Sequence, residues 1–199
     1  MGFSTLLDIL GSSLIGGILL MILFSVQDTT VKNTYNYGGE LIVQQNLVEV
    51  VQLLEHDFKK IGYCKDWTQI PDPSVSIISA DTSSIRFLTD HNDDGIVDTL
   101  RYYLGPTSAL TATPNPRDRM LYRVINSQTP GGSNLGVTRF RLKYFNALGA
   151  ELSFPITNPG QIYTMEININ IESTIAYNNE FSTIYWRQIR LAARNLRNR

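Results

Sequence analysis

From Leu6 through Val26 the chain offers a single ionisable side chain, Asp8, in a run otherwise built of Leu, Ile, Met, Phe, Gly, Val and Ser. About 20 apolar residues in a helix span the ~30 Å hydrocarbon core of a bilayer. The run therefore predicts a helix that anchors the chain in a membrane or packs among other helices. A secretory signal is the rival reading, but its apolar core is shorter, follows basic residues and ends at a small-residue cleavage site. No Lys or Arg precedes Lys32, and Leu23-Phe24-Ser25-Val26-Gln27 contains no Ala-x-Ala-like site. The segment is expected to remain in the mature chain, with its orientation poorly specified by flanking charge.

Past this run the hydrophobic period changes once. The polar stretch Gln27 to Asn36 leads to Gly38 and Gly39, where each glycine costs a helix ~1 kcal/mol relative to Ala and permits a break. From Glu40 the apolar residues Leu47, Val50, Val51, Leu54, Phe58 and Ile61 recur at three- and four-residue steps, opposite Gln45, Glu49, Gln52 and Lys59. Gly62 follows Lys59 and Lys60 as a C-terminal stop. The expectation is one long, interrupted helix joining the apolar run to a head. Two unrelated helices with a flexible link are the alternative.

Beyond Cys64 the residues read as strands. Val75 to Ala80, Ser84 to Thr89, Val97 to Leu104, Arg119 to Ile125 and Val137 to Phe145 are short, rich in β-branched and aromatic residues and separated by turn formers. In Tyr163 to Glu172 the polar Thr164, Glu166, Asn168, Asn170 and Glu172 interleave with Tyr163, Met165, Ile167, Ile169 and Ile171, the alternation of a half-buried strand. Ser182 to Leu191 is a final strand; Pro106 to Pro116 and Thr129 to Gly136 read as surface loops. The predicted class is α+β: a long N-terminal helix, with a membrane-spanning lower half and an amphipathic upper half, packed on an antiparallel β-sheet head. Its divisions are 1–26, 27–62 and 63–199.

With 17 basic and 18 acidic side chains, the charge balance gives no reason to expect nucleic acid. The lone Cys64 cannot form an internal disulfide and reads as a structural thiol. His56 and His91 lack metal-ligand spacing, no nucleophile elbow, phosphate loop or dinucleotide fingerprint is present, and Glu166 and Glu172 are too widely spaced for acid-base work. Enzyme chemistry is not expected. The C-terminal Arg187, Arg190, Arg194, Arg197 and Arg199 read as a solvated strand edge and tail. Tyr185, Trp186, Tyr102 and Tyr103 read as core and cross-strand contacts.

Asp90-His91-Asn92-Asp93-Asp94-Gly95-Ile96-Val97-Asp98 carries the start of a calcium loop. A hard cation wants several oxygens at ~2.4 Å, which Asp90, Asn92, Asp94 and Asp98 side chains and the Ile96 carbonyl would supply, Gly95 allowing the sharp turn. Arg101 stands where a helix-loop-helix hand has its bidentate Glu, so the expected ion is calcium in a structural, incomplete site. A plain polar hairpin tip is the alternative, since Asp-Asp-Gly is a turn sequence.

Taken together, the segment Gly2-Phe3-Ser4-Thr5-Leu6-Leu7-Asp8, the stretch Asp90 to Leu104, Leu121-Tyr122-Arg123, Val137 to Tyr144 and the ending Ile189 to Leu196 resemble the type IV pilin-like superfamily, particularly minor pilins and minor pseudopilins. The resemblance implies cleavage by a prepilin peptidase after Gly2, N-methylation of Phe3, and a subunit held in the bacterial inner membrane as a single pass with an extracytoplasmic head. It also implies that the helix later leaves the membrane to pack among other pilin-like subunits on an assembly platform. The fifth residue after the cut is usually Glu, pairing with a neighbour's terminal amine; here it is Leu7, with Asp8 one place further and ~100° around the helix. That departure suits a tip position in a pilus or secretion pseudopilus. A membrane-tethered carbohydrate- or protein-binding module that never polymerises and an abundant filament subunit are the other readings.

Overall fold

A computed structural model describes residues 2–174 and 181–191. Its first element, α1, runs unbroken from Gly2 to Lys59, 58 residues that extend about 87 Å at 1.5 Å per residue. The expected interruption at Gly38-Gly39 does not occur. Nothing stands within 4 Å of a Cβ built on Gly38, and one on Gly39 would meet the Ser173 and Ser182 hydroxyls only at 3.5 Å. Glycine weakens a helix but does not end one by itself, and no proline or competing cap lies nearby. The helix stops where Gly62 takes a left-handed φ of +72° and donates its N–H to Leu88 O at 2.9 Å.

The head is α+β as expected, but its strands form two sheets where one was expected. The first is antiparallel in the order β1 (Ile77–Ala80), β2 (Ser84–Thr89), β3 (Asp98–Leu104), β4 (Leu121–Ile125) and β5 (Gly131–Ser133). The second holds β6 (Val137–Phe145), β7 (Thr164–Glu172) and β8 (Thr183–Leu191), again antiparallel. Strand β5 lies inside the stretch expected to be a loop. Its glycines reach the sheet because they lack side chains: a Cβ on Gly132 would meet the Tyr122 ring at 2.9 Å. Pro73–Val75 forms a 3-10 turn ahead of β1, since Asp72 caps Ser74 and draws the chain out of extended geometry.

One core unites the three layers. From α1 come Val43, Val50, Leu54 and Phe58; from the first sheet Ile77, Ile85, Phe87, Leu100 and Tyr102; from the second Phe140, Leu142, Tyr144, Met165, Ile167, Ile169 and Ile171. Leu47 packs partly buried against it, while Gln45, Glu49, Gln52 and Lys59 face solvent. Phe58 places its ring edge-on to Phe87 and Tyr102, with centroids 5.7 and 5.5 Å apart.

Register in the second sheet follows from the pleat. Phe140, Leu142 and Tyr144 oppose Ile169, Ile167 and Met165, so both strands send the same set inward. Val137 joins that set only because a bulge between Val137 and Arg139 shifts the phase by one residue. The opposite face of β7, expected to be wet, is covered: Glu166, Asn168 and Glu172 are buried among neighbouring side chains. Arg187 reaches Glu166 at 2.7 Å and Tyr185 donates to Asn168 Oδ1, which is why carboxylates tolerate burial there.

Candidate functional site

The lower half of α1 is bare. Every residue from Leu6 to Val26 is exposed, and Phe3 shows 81% of its surface. The helix is long and apolar enough to cross a membrane, and none of its most apolar window is buried within the chain. Its polar residues are quieted from within. Ser12 donates to the Asp8 carbonyl at 2.6 Å, Ser13 to that of Ile9, Thr29 to that of Ser25 and Thr30 to that of Val26. Such back-bonding lets hydroxyls enter an apolar environment without orphaned donors. Gly2 and Phe3 stand at the helix start, and Asp8 is exposed one turn above them.

The acidic loop holds itself together with protein donors. Asp90 is fully buried; its carboxylate accepts from the backbone N–H of Asp94 at 3.1 Å, Gly95 at 2.9 Å and Lys65 at 3.1 Å. Burial pushes the Asp90 carboxyl up, but these amides together outweigh it and hold it below the usual range. Asp94 accepts from Ile96 N and Asn92 Nδ2, Asp98 from Asn126 Nδ2 and His91 N, and Asp93 from Lys60 Nζ at 3.1 Å. Gly95 has a φ of +86°, the sharp turn its position called for. The mutual repulsion expected of these carboxylates is thus met by an ammonium group, backbone amides and two asparagines. Among the described residues no three His, Cys, Asp or Glu side chains converge as metal ligands. Cys64 is buried and free, its sulfur 3.9 Å from Asp90 Oδ2, and burial raises its pKa.

Two buried polar clusters were not anticipated from the sequence. Asp57, 1% exposed, faces inward from α1 and accepts from Arg123 Nε at 2.7 Å, Tyr102 OH at 2.5 Å and His56 Nδ1 at 3.0 Å. Arg123 Nη2 also meets His91 Nδ1 at 3.0 Å. Burial would raise the Asp57 carboxyl, but the three hydrogen bonds and the guanidinium charge hold it low. A charged residue three places after Leu54, between core positions, was the available signal. In the second cluster Glu172 accepts from Arg117 at 2.7 Å and Asn115 at 3.0 Å. Nearby Asp118 is 1% exposed; Thr113 and Asn134 act on its carboxylate, but among the described residues neither oxygen has a partner in good hydrogen-bond geometry.

Of the C-terminal arginines, Arg187 is engaged with Glu166; the Arg190 side chain, Arg194, Arg197 and Arg199 lie outside the described residues. Tyr102 is core and Tyr103 stacks on Tyr122 at 4.9 Å, as cross-strand contacts do.

These features define an α+β protein whose long N-terminal helix carries a two-sheet head on its upper half and leaves its lower half apolar and uncovered, a layout consistent with that of pilin-like subunits. Comparison with protein-family models, with curated proteins and with solved structures found no match.

Proposed function

We propose that this chain is a minor pilin-like or pseudopilin-like structural subunit, assembling through α1 into a type IV pilus or secretion pseudopilus, at or near its tip. The observation that supports this reading is the division of one continuous helix. Its upper half is committed to the head core, whereas its lower half presents apolar side chains on all sides. A helix hydrophobic all round needs lipid or other helices as its surroundings. In a membrane the first condition holds; in a filament the second does, so transfer between them exchanges one apolar environment for another.

In this reading a prepilin peptidase cuts after Gly2 and methylates Phe3 in the inner membrane, with the head outside the cytoplasm. Asp8 then offers the carboxylate for a neighbouring subunit's terminal amine, in a register rotated from the usual one. A buried charge pair of this kind sets register more than it adds stability. Mass spectrometry of the native protein tests the processing: loss of Met1-Gly2 with N-methyl-Phe3 is expected. An intact Met1 in cells that assemble filaments would favour a tethered module instead.

Calcium at Asp90, Asn92, Asp94, Ile96 and Asp98 belongs to the same proposal, but the donors now on Asp90 and Asp98 would have to give way to it. Assembly through α1 does not require the ion. Thermal melting with and without millimolar calcium decides the matter: a raised midpoint supports binding, and an unmoved one retires it.

A further inference from the structure

Where the two sheets meet, a polar cleft of about 480 Å³ is lined by Thr82, Ser83, Arg119, Thr138, Arg139 and Arg141. It brings together three guanidinium groups and three hydroxyls with no carboxylate on its walls. Elsewhere Arg117, Arg123 and Arg187 each pair with a buried acid. Arg119, Arg139 and Arg141 form no ion pair among the described residues, although their charges share one cleft. The nearby Asp81 accepts from the Thr82 amide at 2.6 Å.

The backbone closes the cleft at its two ends. Arg119 N donates to Val137 O at 3.0 Å and Leu142 N to Thr82 O at 2.8 Å, so the outer edge of β6 is covered at both ends of the cleft. Leu142 N and Tyr144 O both point to that outer edge, whereas Phe145 O turns toward Tyr163 on the other side. Phe140 itself is only 2% exposed, so the cleft is read through the side chains that flank it, Arg139 and Arg141. These two arginines lie two residues apart on one face, about 7 Å, the spacing of alternate side chains in an extended chain.

We infer that this cleft binds an extended acidic peptide segment of a partner protein, its carboxylates taken by Arg119, Arg139 and Arg141. Guanidinium groups hold carboxylates bidentately, and arginines at alternate strand positions match alternate side chains of an extended segment.

Full-length protein in nonionic detergent is titrated with a fluorescent peptide of alternating Glu and Thr. Its Gln-for-Glu counterpart, a heparin-derived hexasaccharide and inorganic sulfate serve as competitors. Saturable binding of the Glu peptide is expected, at least tenfold tighter than the Gln peptide. It should weaken tenfold or more in R139Q/R141Q and in R119Q, with melting midpoints retained, and stay unchanged in R86Q/R101Q, a cross-strand arginine pair outside the cleft. Absence of saturable binding, equal binding of the Gln peptide or equal weakening by R86Q/R101Q overturns the inference. Tighter binding of the hexasaccharide than of the Glu peptide overturns it in favour of a sulfated glycan.

Discussion

At the scale of single residues, the buried charges divide by whether the chain supplies them a partner. Asp57 has three donors, and removing Arg123 would leave a carboxylate buried beside one phenol and one imidazole. Arg123→Ala should therefore cost about 3 kcal/mol in urea unfolding, more than Tyr102→Phe at about 1 kcal/mol. The pH dependence follows from the directions of the shifts. Asp57, Asp90, Glu166 and Glu172 all sit below their ordinary values in the folded chain. Their stabilisation is present above the unfolded carboxylate range, and it is lost as pH falls from about 5 through the folded values. Asp118 runs the other way: burial raises it most and the Glu172 charge adds to that, while Thr113, Asn134 and Arg117 only partly offset them. It binds its proton more readily folded than unfolded, so it opposes folding at neutral pH and relaxes as acid is added. Asp118→Asn should raise stability at pH 7 and steepen the loss on the acid side; a melting series from pH 7 to 4 shows both. The sequence made Gly62 and Gly95 legible, because a helix stop and a tight acidic turn each demand left-handed backbone. It did not make Asp57 legible, since its partner Arg123 lies 66 residues away and only the folded sheet brings the two together.

At the scale of elements, periodicity located the helix stripe and most strands because those patterns are local consequences of 3.6- and 2-residue repeats. Val50, Leu54, Phe58 and Ile61 face the core as that stripe required, and Val43, one heptad before Val50, extends it back toward Gly39. Phe58→Ala should remove both edge-on ring contacts and lower stability by about 3 to 5 kcal/mol, read as a fall in melting midpoint. Gly38 points into open space within a continuous helix. Gly38→Ala should stabilise that turn by about 1 kcal/mol, a several-fold rise in local hydrogen-exchange protection of the surrounding amides. Unchanged protection would mean that the turn is already held by something other than its helical propensity. Strand β5 escaped notice because Gly131-Gly132-Ser133 has no strand propensity; its place is set by room beside Tyr122, a tertiary matter.

Over the whole molecule, the N-terminal helix and the head solve different problems. The head closes one core between helix and two sheets and covers even the polar face of β7 with ion pairs. The helix below it exposes Leu, Ile, Met and Phe side chains in a continuous column, a surface far larger than the patches soluble monomers tolerate. That division was readable from the sequence at once, since a run of this length has few physical destinations. The pairing of strands into two sheets was not, because alternation fixes which face is buried and leaves strand order open. In the proposed filament, sister helices replace lipid around residues 6–26. Because Cys64 is buried, a single cysteine introduced at Leu19 would be the accessible thiol among the described residues. Oxidative cross-linking of Leu19→Cys subunits to filament partners carrying a cysteine at the matching depth, compared between sheared filaments and membranes, is the direct measurement. Cross-links in the filament fraction and none in membranes of cells lacking the assembly platform are expected; recovery of the protein solely as an uncross-linked monomer in both would contradict assembly through α1.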